Sequence, residues 1–367
     1  MRSVAAFTDT YLPTVNGVTY TVQTWRDRWA DRGGRMDVVY PRTDGYAARA
    51  GEYPVRSLPF PFYPGFRLGV PWIPRRVRDV DVVHAHTPFA VGLAGLRLAN
   101  RRDRPLVASY HTPSAEYADY VAPGETVETL VERVSERYER WFLNRADAVV
   151  APSDATAAHL VDEVGVSTPV TIVPNGIDTE RFRRVDPTPF LARHGLDDAD
   201  TLIGYTGRHG YEKRLADVVD AATELDATVV FGVDGPARAD LEARTTERGV
   251  DARFLGFLDR EELPAFYSAL DAFVFPSPVE TQGLVALEAN ACGTPVVGAD
   301  DGALADTVVD GETGYHFATG DVAALRGAVR RTLAERDRLG ETCLAVRERH
   351  GVDRAVDRLE DVYDRVS

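Results

Sequence analysis

Short uninterrupted apolar runs alternate with segments of helical period along this 367-residue chain, and the whole alternation occurs twice. The first series predicts strands at Val4–Phe7, Met36–Tyr40, Asp81–His84, Leu106–Tyr110, Ala148–Ala151 and Val170–Val173, with helical segments such as Val18–Trp29 and Val127–Leu143 between them. The second predicts strands at Leu202–Tyr205, Thr228–Phe231, Arg253–Phe257, Ala272–Phe275, Pro295–Gly298 and Tyr315–Phe317. A strand that is apolar throughout must be covered on both faces, so such strands separated by helices specify parallel sheets wrapped by helices. The expected fold is therefore α/β, with two Rossmann-like, doubly wound parallel-sheet domains.

The junction is expected at Val173-Pro174-Asn175-Gly176-Ile177-Asp178 and the polar stretch that runs to Asp200, where proline, glycine and charge interrupt the alternation. This gives an N-terminal domain over 1–175, a C-terminal domain over 176–350 and a last segment, 351–367, with the apolar spacing of a helix. Ligands of such sheets bind beyond the carboxyl ends of the strands, so the site is expected in a cleft where the two halves face each other.

No stretch approaches the roughly 20 apolar residues of a membrane span, and the N-terminus runs directly into the first strand. A soluble, unprocessed, cytoplasmic chain is the expectation. Cys292 and Cys343 match no metal spacing and no disulfide framework. A formal charge of -15 argues against a nucleic-acid partner, which needs a basic field. Abundant Asp, Glu and Arg with almost no lysine suggests a salt-loving source.

That near-absence gives one position weight. Of 42 basic residues Lys213 is the sole lysine, in the run Gly204-Tyr205-Thr206-Gly207-Arg208-His209-Gly210-Tyr211-Glu212-Lys213, where an apolar strand ends in glycine. Two cations beside the start of a helix near Leu215 form an anion site suited to a diphosphate without metal. A second constellation, Phe275 to Glu288, carries two carboxylates eight residues apart, Glu280 in a loop and Glu288 about two turns into the next helix. They are too far apart along the chain to share one metal easily, but can reach two parts of an extended ligand. Gly283 and the N–H groups of Leu284 and Val285 offer a second helix terminus to phosphate. An ordinary surface acid at Glu288 sits poorly with its neighbours Ala286, Leu287, Ala289 and Ala291.

Taken together, Gly207-Arg208-x-x-x-Glu212-Lys213, Gly232-x-Asp234-Gly235-Pro236, Glu280-x7-Glu288 and Glu288-Ala-Asn-Ala-Cys-Gly-Thr-Pro-Val-Val297 resemble the retaining glycosyltransferases of family 4. The likeness extends to Asp9-Thr10-Tyr11-x-Pro13-x-x-Asn16-Gly17-Val18, His84-x-His86-Thr87-Pro88, Tyr110-His111-Thr112, Pro174-Asn175-Gly176-Ile177-Asp178 and Asp310-Gly311-x-Thr313-Gly314, and so covers nearly the whole chain. The resemblance implies a GT-B fold and a nucleotide-sugar donor, UDP- or GDP-linked, in the C-terminal domain, with the acceptor in the N-terminal one and the last helix crossing back to it. It implies transfer of a hexose with retention, with no cofactor and no metal. It also implies that Arg208 and Lys213 grip the diphosphate, Glu280 the sugar hydroxyls and Glu288 the ribose. Gly17 would admit the phosphate from the other half, and His111 would hydrogen-bond the sugar. Front-face attack, with the departing phosphate oxygen taking the acceptor proton, is the family's usual reading. The opening motif and the Tyr-His-Thr segment most resemble enzymes that glycosylate membrane lipids, such as diacylglycerol glycosyltransferases, sulfoquinovosyl diacylglycerol synthases and phosphatidylinositol mannosyltransferases. Gln282 stands where an aromatic is common, and Ala303, Ala305 and Asp306 replace the usual Gly, Pro and Glu.

Asp79-Val80-Asp81 and Asp198-Ala199-Asp200 match an Asp-x-Asp metal pattern, but the first precedes its strand and the second lies in the linker. His84 and His86 are read as pointing to opposite faces of their strand, which favours packing over a metal. The stretch 58–78 clusters aromatic and proline residues before four arginines, and is read either as a loop packed on its domain or as a peripheral contact with an anionic membrane bearing a lipid or lipid-linked acceptor. Rival readings are a soluble acceptor, a non-catalytic sugar-nucleotide-binding subunit, and an NAD-dependent oxidoreductase, which lacks its Gly-x-Gly-x-x-Gly after the first strand.

Overall fold

The computed structural model describes residues 1–60, 66–111, 125–196 and 201–367, and for 125–132 the backbone alone. Asp198 and Asp200, Thr112 and the middle of the 58–78 stretch therefore lie outside the described residues. The chain divides into two compact units, one formed by Met1–Gly176 with Val352–Ser367 and the other by Ile177–Gly351.

The first unit contains β1 (Ser3–Phe7), β2 (Arg35–Pro41), β3 (Glu52–Val55), β4 (Ser57–Pro59), β5 (Arg67–Gly69), β6 (Val82–Ala85), β7 (Leu106–Ser109), β8 (Ala148–Ala151) and β9 (Val170–Ile172). Seven of these form one parallel sheet in the order β3-β2-β1-β6-β7-β8-β9. Its strands are buried on both faces: Val4 and Ala6 belong to one apolar cluster with Trp25, Val82 and Val107, while Ala5 and Phe7 belong to another with Val83, Ala85 and Leu96. The last helix, Val352–Val366, completes the first cluster with Val352, Val356, Leu359, Val362 and Tyr363, all nearly inaccessible. Each of its larger apolar side chains contributes roughly 1.5–3 kcal/mol by leaving water.

The second unit contains β10 (Leu202–Thr206), β11 (Thr228–Gly232), β12 (Ala252–Gly256), β13 (Ala272–Phe275), β14 (Val296–Ala299) and β15 (Gly314–Phe317), in the parallel order β12-β11-β10-β13-β14-β15. Both sheets reverse their strand order once, at β1/β6 and at β10/β13. Loops that leave neighbouring strands in opposite directions open a crevice at such a point, which is where ligands of these sheets bind.

Two local expectations fail. β3 and the antiparallel hairpin β4–β5 are additional to the expected strands, and part of the 58–78 stretch is that hairpin. The helix bearing Glu288 spans Leu284–Ala291, so Glu288 is its fifth residue, little more than one turn in.

Candidate functional site

In the second unit the loop after β10 and the loop after β13 flank the strand-order reversal. Gly207 begins the first loop at φ 142°, and a Cβ there would lie 2.7 Å from the Tyr205 hydroxyl, so no other residue fits without displacement. The chain then makes a short 3₁₀ turn at Tyr211–Lys213 and passes through Arg214 at φ 53° into the helix Leu215–Ala222. His209 and the Gly232–Pro236 motif clasp each other through backbone bonds, His209 N–H to Asp234 O at 3.0 Å and Ala237 N–H to His209 O at 2.9 Å.

This geometry delivers the Lys213 ammonium to the second loop. Lys213 Nζ donates to Glu280 Oε1 at 2.8 Å and lies 3.4 Å from the Val279 carbonyl. Arg208 stands on the same loop, 3.7 Å from Glu212. Lys213, Glu280, Glu212 and Arg208 all act electrostatically on the Tyr205 hydroxyl, which burial keeps protonated. Charges of both signs from two loops thus meet at this corner, an arrangement able to hold an anion and hydroxyl groups side by side. The Glu280 carbonyl lies 3.4 Å from the Ala303 N–H, joining the third loop to this corner.

Gly283 precedes the helix Leu284–Ala291 at φ 75°, and a Cβ there would come within 2.7 Å of Leu304. It offers no capping side chain, and Leu284 and Val285 open the helix. Glu288 is not a surface acid: it is buried, and its Oε2 accepts the Tyr267 hydroxyl at 2.8 Å. Burial pushes its carboxyl up to about 7, opposed by the Tyr267 bond and by Arg260 and Arg181. Glu288 and Glu280 therefore occupy separate settings, one dry and one at the loop surface. Asn290, two residues on, donates to the Thr294 and Thr313 carbonyls at 3.0 and 3.2 Å, which explains structurally why an amide sits in that motif.

The first unit contributes Gly17 and His111. Gly17 opens the helix Gly17–Asp31, capped by Asn16, whose side-chain oxygen accepts the Thr19 N–H at 2.9 Å. Asp9 is a residue whose role local pattern did not reveal. It is buried, with Oδ1 accepting the Val91 N–H at 2.8 Å and Oδ2 the Thr87 hydroxyl at 2.7 Å, so it caps the helix Ala90–Arg102 from the neighbouring strand's loop. The Asp9 and Thr87 motifs thus serve each other.

His111 follows β7, with Nε2 3.0 Å from His86 Nδ1, and burial lowers its imidazole to about 4, opposed by a hydrogen bond with the Asn175 side chain. The expectation that His84 and His86 face opposite ways is overturned, because residues two apart on a strand share a face. Their rings stack with centroids 4.0 Å apart. Both are buried and packed, His84 between the Tyr363 and Ser109 hydroxyls at 2.6 and 2.7 Å.

Asp81 accepts the Ser3 N–H and hydroxyl, both at 2.8 Å, at the amino end of β6. Among the described residues no cluster of three or more His, Cys, Asp or Glu has the geometry of a metal site. No helix among them is long and apolar enough to cross a membrane. Cys292 and Cys343 are buried thiols.

Two parallel Rossmann-like sheets in series, the second with a cationic loop after its first strand and an acidic strand–loop–helix corner beside it, define a GT-B glycosyltransferase. Residues 15–181 match the model for Glycosyltransferase Family 4, and residues 188–349 that for Glycosyl transferases group 1. This chain belongs to glycosyltransferase family 4. It is 31% identical over 354 residues to the GDP-mannose-dependent alpha-mannosyltransferase of Mycolicibacterium smegmatis, covering 92% of this chain and 90% of that protein. It is 28% identical over 316 residues to the alpha-monoglucosyldiacylglycerol synthase of Streptococcus pneumoniae, covering 80% of this chain and 70% of that one. Sucrose-phosphate synthase from Thermosynechococcus elongatus shares the fold, with a TM-score of 0.80 over 99% of both chains at 22% identity.

Proposed function

We propose that this glycosyltransferase moves a hexose from a UDP- or GDP-sugar to a hydroxyl of a membrane lipid or lipid-linked acceptor, with retention and without a metal. The observation that carries the reading is the Lys213–Glu280 pair at the strand-order reversal of the second unit, with Arg208 on the same loop. Lys213 and Arg208 would hold the diphosphate, Glu280 the sugar hydroxyls, and the turn Gly283–Val285 a phosphate oxygen. Glu288 would receive the ribose hydroxyls. In the first unit, Gly17 would contact a phosphate and His111 a sugar hydroxyl.

In the reaction the bond from the anomeric carbon to the diphosphate oxygen breaks, and the acceptor oxygen bonds that carbon on the same face. The acceptor proton passes to the departing phosphate oxygen. Negative charge grows on that oxygen, and pre-positioned cations stabilise it without reorganising. Retention and metal independence rest on the family resemblance and on the two cations available to the diphosphate.

A lipid acceptor is supported by the likeness to a diacylglycerol glucosyltransferase and by the hairpin β4–β5. Leu58 in the hairpin and Val70 and Trp72 just after it are 69%, 44% and 61% exposed, and the exposed Arg75 and Arg76 follow in sequence. Apolar side chains next to cations suit an anionic membrane face. In a salt-loving cell, which the composition suggests, screening would leave apolar insertion as the main attraction.

The test is turnover of UDP-glucose and GDP-mannose by the purified protein with lipid vesicles or with a soluble glycoside. Nucleoside diphosphate release coupled to glycolipid formation is the expected result. A product made on the soluble acceptor alone would move the acceptor class, and donor binding with neither hydrolysis nor transfer would make this a binding subunit.

A further inference from the structure

β6 and β7 are neighbours in the first sheet, and the residues at their carboxyl ends bring three imidazoles together. His86 lies against His84 on one side, with centroids 4.0 Å and planes 25° apart, and against His111 on the other, at 5.3 Å and 13°. Trp25 packs beside all three at 5.8 to 6.3 Å. His84 has both ring nitrogens engaged, by Tyr363 and Ser109. His86 has one engaged, its Nδ1 with His111 Nε2 at 3.0 Å, while its Nε2 is buried without a hydrogen-bond partner among the described residues.

One proton must lie between His86 Nδ1 and His111 Nε2, and the surroundings decide which ring carries it. If His111 Nε2 donates, neutral His86 must hold its own proton on Nε2, leaving a buried N–H with no acceptor. If His86 Nδ1 donates, Nε2 shows only an unused lone pair, and an orphaned donor is the rarer of the two in folded proteins. His111 also hydrogen-bonds the Asn175 side chain, and with Nε2 turned to His86 its Nδ1 is the ring nitrogen left for that contact. Asn175 is itself fixed, its backbone carbonyl accepting the Trp25 indole N–H at 2.6 Å.

We propose that His86 is a positioning residue for His111: its Nδ1–H holds His111 in the Nδ1-protonated form, with Nε2 an acceptor and the ring plane fixed. A sugar hydroxyl that displaces the His86 N–H then meets a neutral acceptor rather than a competing donor. This consequence rests on the sugar contact proposed above for His111, whereas the tautomer itself does not.

The experiment is long-range ¹H–¹⁵N spectroscopy of the histidine rings near neutral pH in wild type, His86→Asn and His86→Phe, with steady-state kinetics on the same proteins. Asparagine keeps an N–H donor near the position of Nδ1; phenylalanine keeps the stacked ring and removes both nitrogens. Wild type is expected to show His111 protonated on Nδ1, and His86→Asn to keep that pattern and most of the turnover. His86→Phe is expected to release the tautomer and to lower kcat by about tenfold or more, the usual effect of losing a residue that orients another, with little change in donor KM. Wild-type His111 protonated on Nε2 overturns the proposal, as does His86→Asn failing as badly as His86→Phe. An enzyme without transferase turnover in any form would remove the sugar contact, and the ring spectra would still decide the tautomer.

Discussion

The Lys213 ammonium donates to the Glu280 carboxylate at 2.8 Å although the two residues are 67 positions apart in sequence. Their loops leave β10 and β13, which are hydrogen-bonded neighbours on either side of the sheet's reversal. The side chains are 15% and 20% exposed, so the pair is largely shielded from solvent. A donor that uses both groups must exchange this contact for its own phosphate and hydroxyl groups.

Lys213→Ala is therefore expected to lower turnover roughly a hundredfold, near 3 kcal/mol of transition-state stabilisation. It should cost only about 1 kcal/mol of folding stability, as partly exposed pairs do. Lys213→Arg should recover little, because a planar guanidinium cannot replace a compact ammonium at one point. Kinetics and urea unfolding of the purified variants check both statements, and turnover at wild-type level in Lys213→Ala would remove this residue from the mechanism.

Glu288 makes the second unit pH-sensitive. Its carboxyl lies at about 7 when folded against an ordinary value near 4.5, so folding favours the protonated form. Below the ordinary value there is no penalty; as pH rises to about 7 the unfolded chain ionises first and stability falls. The full loss, on the order of 3 kcal/mol, is present above about pH 7. Glu288→Gln should match wild type near pH 4 and be the more stable protein near pH 8. Parallel stability curves would show that the carboxyl is not held protonated.

The three histidines work in the opposite direction in the first unit. Burial lowers His84 to about 3 and His111 to about 4, and His86 well below its ordinary 6.5. Their neutral forms stabilise the fold fully above about 6.5, and this is lost as pH falls toward the folded values. Each contributes a slope of about 1.4 kcal/mol per pH unit in that window. The four tryptophans, Trp25, Trp29, Trp72 and Trp141, all belong to this unit, so indole fluorescence during urea unfolding follows it selectively. His86→Phe should flatten the acid limb by about a third of the combined slope.

Paired replacement of Leu58 and Trp72 by serine is expected to weaken binding to anionic vesicles at least about tenfold, since each buried apolar side chain is worth roughly 1.5–3 kcal/mol. Transfer to a water-soluble acceptor analogue should be unchanged. Equal vesicle binding by wild type and variant in a co-sedimentation assay would place the membrane contact elsewhere.

The sheets are legible in the sequence because strands covered on both faces are written as unbroken apolar runs, as in Val229-Val230-Phe231. β3 is not legible for the same reason. It is an edge strand, carries Pro54, and begins at Glu52, whose buried carboxylate is held by Arg26 at 2.8 Å and Tyr46 at 3.0 Å. The charged loop after β10 is legible as a composition anomaly, a single lysine among arginines. Its partner is not, since nothing local links Lys213 to Glu280. The Tyr267 bond to Glu288 and the cap that Asp9 gives to another element's helix are likewise contacts made by topology, invisible to spacing. The expectation for His84 and His86 fails on a point the sequence does contain, the two-residue period of a strand.

The most direct test of the donor site is thermal stability of wild type and Lys213→Ala in high salt against UDP, GDP, UDP-glucose, GDP-mannose and NAD. Ligand at a hundred times its dissociation constant adds about 2.7 kcal/mol, a shift of a few degrees for a protein of this size. A shift with one nucleoside diphosphate and its sugar is expected, lost in Lys213→Ala and absent with NAD. A shift that survives in Lys213→Ala, or one produced by NAD alone, would contradict a diphosphate site at Lys213.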